Sequence, residues 1–346
     1  MPLPPLEPVS VADFLEIQAE TCVRQAPMTS MNISKSISMK PILGGHETFA
    51  FRDGWLKKGV DAANSDPIIF SKDDAFVSLG VGKNMVRSIR HWCLASNLLE
   101  EYASAGSAHP LRPTGLARRL FLDERWDPYL ERDGSLWLVH WQIATNRTRA
   151  LVWAISFSQY LETEFSRQSL ANFLMQELQH LNLKTTREMV LRELDCFLHT
   201  YVTTSKSDRR RAKGDSLSEE SLDCPLANLD LIRYMPEYGL YHFNVGPKPS
   251  LPAEIFGYAF ASYLSARSAK RSTISLEECI YGTDSPGQIF KLDENSVVDY
   301  LEEVERRYPD TFSLIETAGL SQIYLSEGFS MDLQSRATHF LRDYYE

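Results

Sequence analysis

Apolar residues return every three or four positions along much of the chain, the period of a helix buried on one face. The clearest case is 83–98. Val86, Ile89 and Cys93 form one stripe, with Met85 and Trp92 beside it. At about 100° per residue, Lys83, Arg87 and Arg90 fall within about 60° of each other on another side. A short helix over 74–79 precedes it, with Ser71 as the expected cap and Asp73 and Asp74 at its positive end. Gly80-Val81-Gly82 separates the two helices. Residues 100–109 read as a Ser/Ala/Gly loop, and 111–121 as a strand, a turn and a helix. Short helix, Gly turn, basic helix and hairpin make the sequence shape of a winged helix over about 71–125.

The same period predicts helices at 167–181 and 186–201, the second capped by Thr185 or Thr186. Further helices are expected at 11–18, 252–266, 275–281, 287–305 and 337–345. A short one begins at 55–60, and 61–66 is a loop closed by Asp66-Pro67. Ser275 caps its helix, with Glu277 and Glu278 in the first turn. Alternation marks 240–245 as a strand, and 312–325 as two strands and a turn. The C-terminal part thus repeats the order helix, turn, helix, wing. Residues 135–143 and 151–160 are apolar almost throughout, so each is a buried strand or a core helix, and periodicity does not separate the two. The fold class is mainly α with small β elements (α+β), built on winged-helix/helix-turn-helix modules.

Residues 203–223 are polar and poor in apolar side chains. They divide the chain into an N-terminal lead-in (1–40), a motif-bearing domain (41–202), a linker (203–223) and a C-terminal α+β domain (224–346). Arg209, Arg210 and Arg211 in the linker read as a solvated loop, or as a phosphate clamp.

Composition narrows the class. With 346 residues, 43% hydrophobic and 24% charged, the chain has the make-up of a globular protein. No apolar run approaches the ~18 residues of a membrane span. Met1-Pro2-Leu3-Pro4-Pro5 lacks the basic and apolar regions of a signal peptide. Five scattered cysteines without a Cys-x-x-Cys pair support neither a zinc ribbon nor a disulfide framework, and fit a reducing, cytoplasmic setting. The net charge is −10, yet 41–125 holds eleven Lys/Arg against ten Asp/Glu. A locally neutral segment with clustered cations is compatible with a DNA-binding face.

Groups able to do chemistry gather at 46–58: His46, Glu47, Arg52, Asp53, Lys57 and Lys58. Phosphodiester cleavage needs a carboxylate or imidazole to activate water or hold a metal, and a cation near the developing charge. The spacing matches no metal motif, so a hydrogen-bonded turn is the competing reading. Asp127, Glu131 and His140 form a second set. Asp127-Pro128 suits a turn starter, and His140 between Val139 and Trp141 suits a satisfied core histidine. Gly80-Val81-Gly82-Lys83 lacks the Ser or Thr of a nucleotide-binding loop. A Gly turn before a helix start still suits a DNA phosphate.

Gly45-His46-Glu47-Thr48-Phe49, Arg52, Trp55-Leu56-Lys57-Lys58-Gly59, residues 79–86, Ser88-Ile89-Arg90, Trp92, Asp127-Pro128-Tyr129-Leu130-Glu131 and Leu136-Trp137-Leu138 resemble a bacterial family labelled a domain of unknown function, whose genes sit beside DNA phosphorothioation genes. Cys224-Pro225-Leu226 and residues 285–290 extend the resemblance over most of the chain. It implies a DNA-nicking protein that works with a cysteine desulfurase, an ATPase and an ATP-pyrophosphatase-like enzyme to place sulfur in the DNA backbone. At the matched positions and around them, the candidate catalytic residues are His46, Glu47, Arg52 and Lys57. Candidate DNA contacts are Lys58, Lys83, Asn84, Arg87, Arg90, Arg112 and Arg118. Candidate ligands for divalent Mg or Mn are Glu47, Asp127 and Glu131. A non-catalytic DNA-binding adaptor that recruits the sulfur-transfer enzymes, and a transcription regulator, are the alternatives.

Overall fold

Helices start where an apolar stripe meets a capping side chain. Thr186 accepts the Met189 N–H and Ser275 accepts the Glu278 N–H, as the sequence predicts. The computed structural model describes residues 40–102, 109–202, 224–267, 271–317 and 320–346. The helix expected at 11–18 and the segment 203–223 with its Arg triplet lie outside them.

In chain order, α1 (Trp55–Ser65), α2 (Ala75–Leu79) and α3 (Lys83–Ala95) are followed by a hairpin, β1 (Leu99–Glu101) with β2 (Leu111–Pro113). A helical turn, Gly115–Ala117, continues as a π-helical stretch, Arg118–Leu122. Next come α4 (Asp133–Ala144), α5 (Leu151–Ser158), β3 (Glu164–Phe165), α6 (Arg167–His180) and α7 (Arg187–Tyr201). The C-terminal part holds β4 (Ile232–Met235), β5 (Leu240–Phe243), α8 (Ala253–Ala266), β6 (Thr273–Ser275), α9 (Leu276–Tyr281), α10 (Pro286–Phe290) and α11 (Glu294–Arg307). It ends with β7 (Phe312–Thr317), β8 (Leu320–Leu325), α12 (Glu327–Met331) and α13 (Leu333–Tyr345). The sheets are antiparallel, in the orders β1-β2, β3-β5-β4 and β6-β8-β7. The chain is thus mixed α and β, with helices dominant.

The two open segments are helices: α4 and α5 are buried on every side, which is why their sequence shows no polar face. Four expectations need correction. Ser71 ends a 3₁₀ turn rather than capping α2, which begins after Asp74 without a side-chain cap. Residues 61–65 continue α1, and Pro67 blocks extension beyond Asp66. Helix α3 stops at Ala95, where Asn97 turns left-handed (φ 53°). The long helix expected at 287–305 is two, because Lys291 is left-handed and Asp293 caps a new start at Ser296 N–H.

One hydrophobic cluster runs through these elements, from Phe51 and Trp92 through Trp137, Trp153 and Phe157 to Phe260 and Phe340. Met39–Glu346 form one compact unit around it.

Candidate functional site

Residues 44–49 form two consecutive turns, in which Glu47 N–H donates to Gly44 O and Phe49 N–H to His46 O. Glu47 (φ 49°) and Thr48 (φ 68°) are both left-handed, a costly pair for non-glycine residues. His46 explains how the pair persists. It is buried, and its Nδ1 accepts the Thr48 N–H at 3.0 Å. Its Nε2 lies 3.1 Å from Oε1 of buried Glu193 on α7, close but off the hydrogen-bond axis. Glu193 also accepts the Gly44 N–H.

The other side of the turn rests on α3. Phe49 O accepts Trp92 Nε1–H at 2.8 Å and Ser88 Oγ–H at 3.4 Å. A Cβ on Gly45 would come within 2.4 Å of His91 Nδ1, so only glycine fits there. His91 is buried with Nε2 unpartnered. Burial, then the nearby His46, Arg149 and Arg90, hold its pKa well below the usual histidine value. At the tip, Glu47 Oε1 meets Arg87 Nη1 at 3.4 Å. The turn carrying Glu47 is therefore wedged between the basic helix and α7.

The remaining candidates separate by role. Arg52 is buried, with its guanidinium 5.2 Å from the Trp55 ring centroid and 5.7 Å from that of Phe49. Lys57 pairs with Asp61 at 2.6 Å, and Lys58 Nζ donates to Leu79 O, the end of α2, at 3.0 Å. Lys83, Asn84 and Arg87 are exposed on α3, with Lys83 Nζ over the Phe76 ring at 5.2 Å. Arg90 joins Arg149 on Glu101 (2.7 and 3.0 Å). Arg112 pairs with Glu100 at 2.7 Å and Arg118 is bidentate to Asp123.

Asp127 is the turn residue its sequence suggests. Its carboxylate is buried and accepts the Glu131 and Arg132 N–H groups and the Ser135 hydroxyl. Ser135 in turn meets Tyr345 OH at 2.7 Å, tying this loop to α13. His140 is a satisfied core histidine. Its Nδ1 meets Tyr201 OH at 2.8 Å and its Nε2 meets Ile289 O at 2.9 Å, with burial pushing its pKa down to about 4.

The proposed ligand set Glu47, Asp127 and Glu131 is not brought together. Among the described residues, no group of three or more His, Cys, Asp or Glu side chains could hold a metal ion. Asp127's oxygens are taken by its own loop, while Glu47 meets Arg87 of α3. The residues present therefore do not fit a ready-made divalent site.

Glu193 and His91 were not foreseen. The signal for Glu193 lay in α7, where Val190, Leu194 and Phe197 place a carboxylate on the apolar stripe. Nothing in the sequence pairs it with His46.

A family described as "Protein of unknown function (DUF4007)" matches residues 43–345. The chain belongs to this family. Two solved structures share its fold. The crystal structure of SspB is 31% identical, with a TM-score of 0.76 over 88% of this chain and 87% of that one. The crystal structure of magnesium ion-bound SspB is 32% identical, with a TM-score of 0.77 over the same shares. A comparison with curated proteins finds no match. The family match begins at Leu43, one residue before the His46 turn, and continues to Tyr345.

Proposed function

We propose that this protein is a DNA-binding, SspB-like member of a DNA phosphorothioation system that nicks one strand and so opens the backbone to sulfur incorporation. Cysteine desulfurase, ATPase and ATP-pyrophosphatase-like proteins would be its partners, in the cytoplasm. The observation that carries the reading is the run α2, Gly80 turn, α3 and β1-β2 hairpin, read as a winged helix, with Lys83, Asn84 and Arg87 exposed on its outer face. Phosphate contacts there would position the duplex, with Glu47 beside it. The likeness to SspB supports the family-level part. Among the described residues no helix is long and apolar enough to cross a membrane.

The test is full-length protein on supercoiled plasmid, with Mg²⁺ or Mn²⁺ and with chelator. A metal-dependent relaxed product is expected. Glu47→Ala should abolish it while DNA affinity changes less than about twofold, as for a group acting only in the reaction. Normal nicking by Glu47→Ala would take Glu47 out of the mechanism.

A second reading is a non-catalytic DNA-binding adaptor. The commitment of His46 and Asp127 to structural hydrogen bonds favours it, since both were candidates for chemistry. No relaxation of the plasmid under any metal condition would decide for the adaptor.

A further inference from the structure

Helix α7 buries one carboxylate in its apolar stripe: Glu193, 3% exposed. A buried carboxylate is costly unless its oxygens are satisfied, so its partners show what it is for. Both lie far off in sequence, Gly44 by 149 residues. Oε1 accepts the Gly44 N–H and faces His46 Nε2 at 3.1 Å. Because His46 Nδ1 accepts the Thr48 N–H, the ring proton sits on Nε2, toward Glu193. The imidazole thus works on both edges: one shapes the backbone at Thr48, the other reads α7. Between them stand two left-handed non-glycine residues, Glu47 and Thr48. Such backbone persists only where its surroundings over-determine it. Glu193, His46, His91 against Gly45, and Trp92 on Phe49 O are those surroundings.

We propose that Glu193 is a positioning residue: through Gly44 and His46 it fixes the left-handed turn that holds Glu47 beside Arg87 of α3. The role of Glu47 in nicking rests on the function proposed above; the fixing of the turn does not.

Glu193→Gln tests this. The glutamine oxygen can still accept the Gly44 N–H, but a neutral amide removes the negative charge that faces the Nε2–H edge of His46, a contact that is electrostatic rather than an aligned hydrogen bond. Two readings are taken at one pH: NMR shifts and couplings of Glu47 and Thr48, with the His46 ring tautomer, and single-turnover plasmid nicking. The expected result is loss of the left-handed signature, a changed His46 tautomer, and nicking slowed about tenfold at unchanged DNA affinity. Glu193→Gln combined with Thr48→Gly should recover most of the rate, because glycine adopts a positive φ without a clash. An unchanged Glu47 and Thr48 signature in Glu193→Gln overturns the proposal. So does a double variant no faster than the single one. If wild type does not nick, the nicking reading fails and the NMR arm alone decides this one. If Glu193→Gln does not fold, the double variant is read in its place: a folded chain with the wild-type Glu47 signal supports the proposal, and an unfolded one overturns it.

Discussion

Helices α2 and α3 are joined as α10 and α11 are. Each pair has a five-residue first helix, a left-handed residue, an apolar residue, an extended N-cap and a long second helix, followed by a hairpin. The left-handed residue is Gly80 (φ 64°) in one and Lys291 (φ 52°) in the other. There the likeness ends. A Cβ on Gly80 would touch nothing within 4 Å. Lys291 is buried, its Nζ donates to Phe157 O at the end of α5, and its carbonyl accepts Gly246 N–H and Lys248 Nζ–H. The outer face of α3 shows Lys83, Asn84 and Arg87, while that of α11 shows Glu294, Asn295, Asp299 and Glu302, with Arg306 and Arg307 in its last turn paired to Glu303. One turn is bare and leads into a cationic helix; the other is sunk in the protein and leads into an acidic one. On the function proposed above, the same local shape would meet a polyanion at one end of the chain and not at the other, and the dressing of the element rather than its outline would set that role.

If the two segments share a structural logic, their buried faces should matter equally. Trp92 and Leu301 are both fully buried in the second helix of their pair. Trp92→Ala should cost about 3–5 kcal/mol and Leu301→Ala about 2–5 kcal/mol, measured by chemical denaturation. A loss below about 1 kcal/mol at either would mean that its helix is not braced against the shared core.

The outer faces should differ. Lys83→Ala with Arg87→Ala should weaken duplex binding about tenfold and flatten the salt slope by about 2. Asp299→Ala with Glu302→Ala should change the affinity less than about twofold, since removing carboxylates from a face that does not meet DNA leaves only screened, distant charge. Binding titrations across salt concentrations check both. An unchanged slope in the α3 variant would move the DNA contact elsewhere, and equal effects from the two variants would dissolve the contrast.

Much of this contrast is legible in sequence. The Gly turn, the basic stripe of Lys83 and Arg87 and the buried stripe of Val86 and Ile89 all follow from period and composition. So do the cap at Ser275 and the turn role of Asp127, because each is settled within a few residues of itself. The split of 287–305 is harder: its breaker is a left-handed lysine, and lysine signals no turn. The state of α4 and α5 is hidden for the opposite reason, since a helix buried all round shows no period. The His46 turn is least legible. Its residue types suggest chemistry, but its geometry depends on Glu193 and His91, and contacts across such separations leave no local pattern.

The smallest effect concerns the lysine that stands where the first turn has Gly80. Burial pushes the Lys291 amine down to about 7 and the Lys248 amine down to about 8, both from an ordinary 10.5. In the unfolded chain both stay protonated up to about pH 10. Between pH 7 and 10.5 the unfolded state therefore binds more protons than the folded one, and stability rises with pH. Their contribution is complete above 10.5 and is lost as pH falls through 8 and then 7. Each amine adds at most about 1.4 kcal/mol per pH unit. Denaturation at pH 7, 8 and 9 should show a rising free energy, Lys291 supplying most of the first step and Lys248 joining in the second. Lys291→Met should nearly flatten the first step and about halve the second, because methionine fills similar space without a proton to release. A wild-type curve flat from pH 7 to 9 would mean that the second turn is open to water like the first, and the contrast between a bare turn and a buried one would fail at its own defining residue.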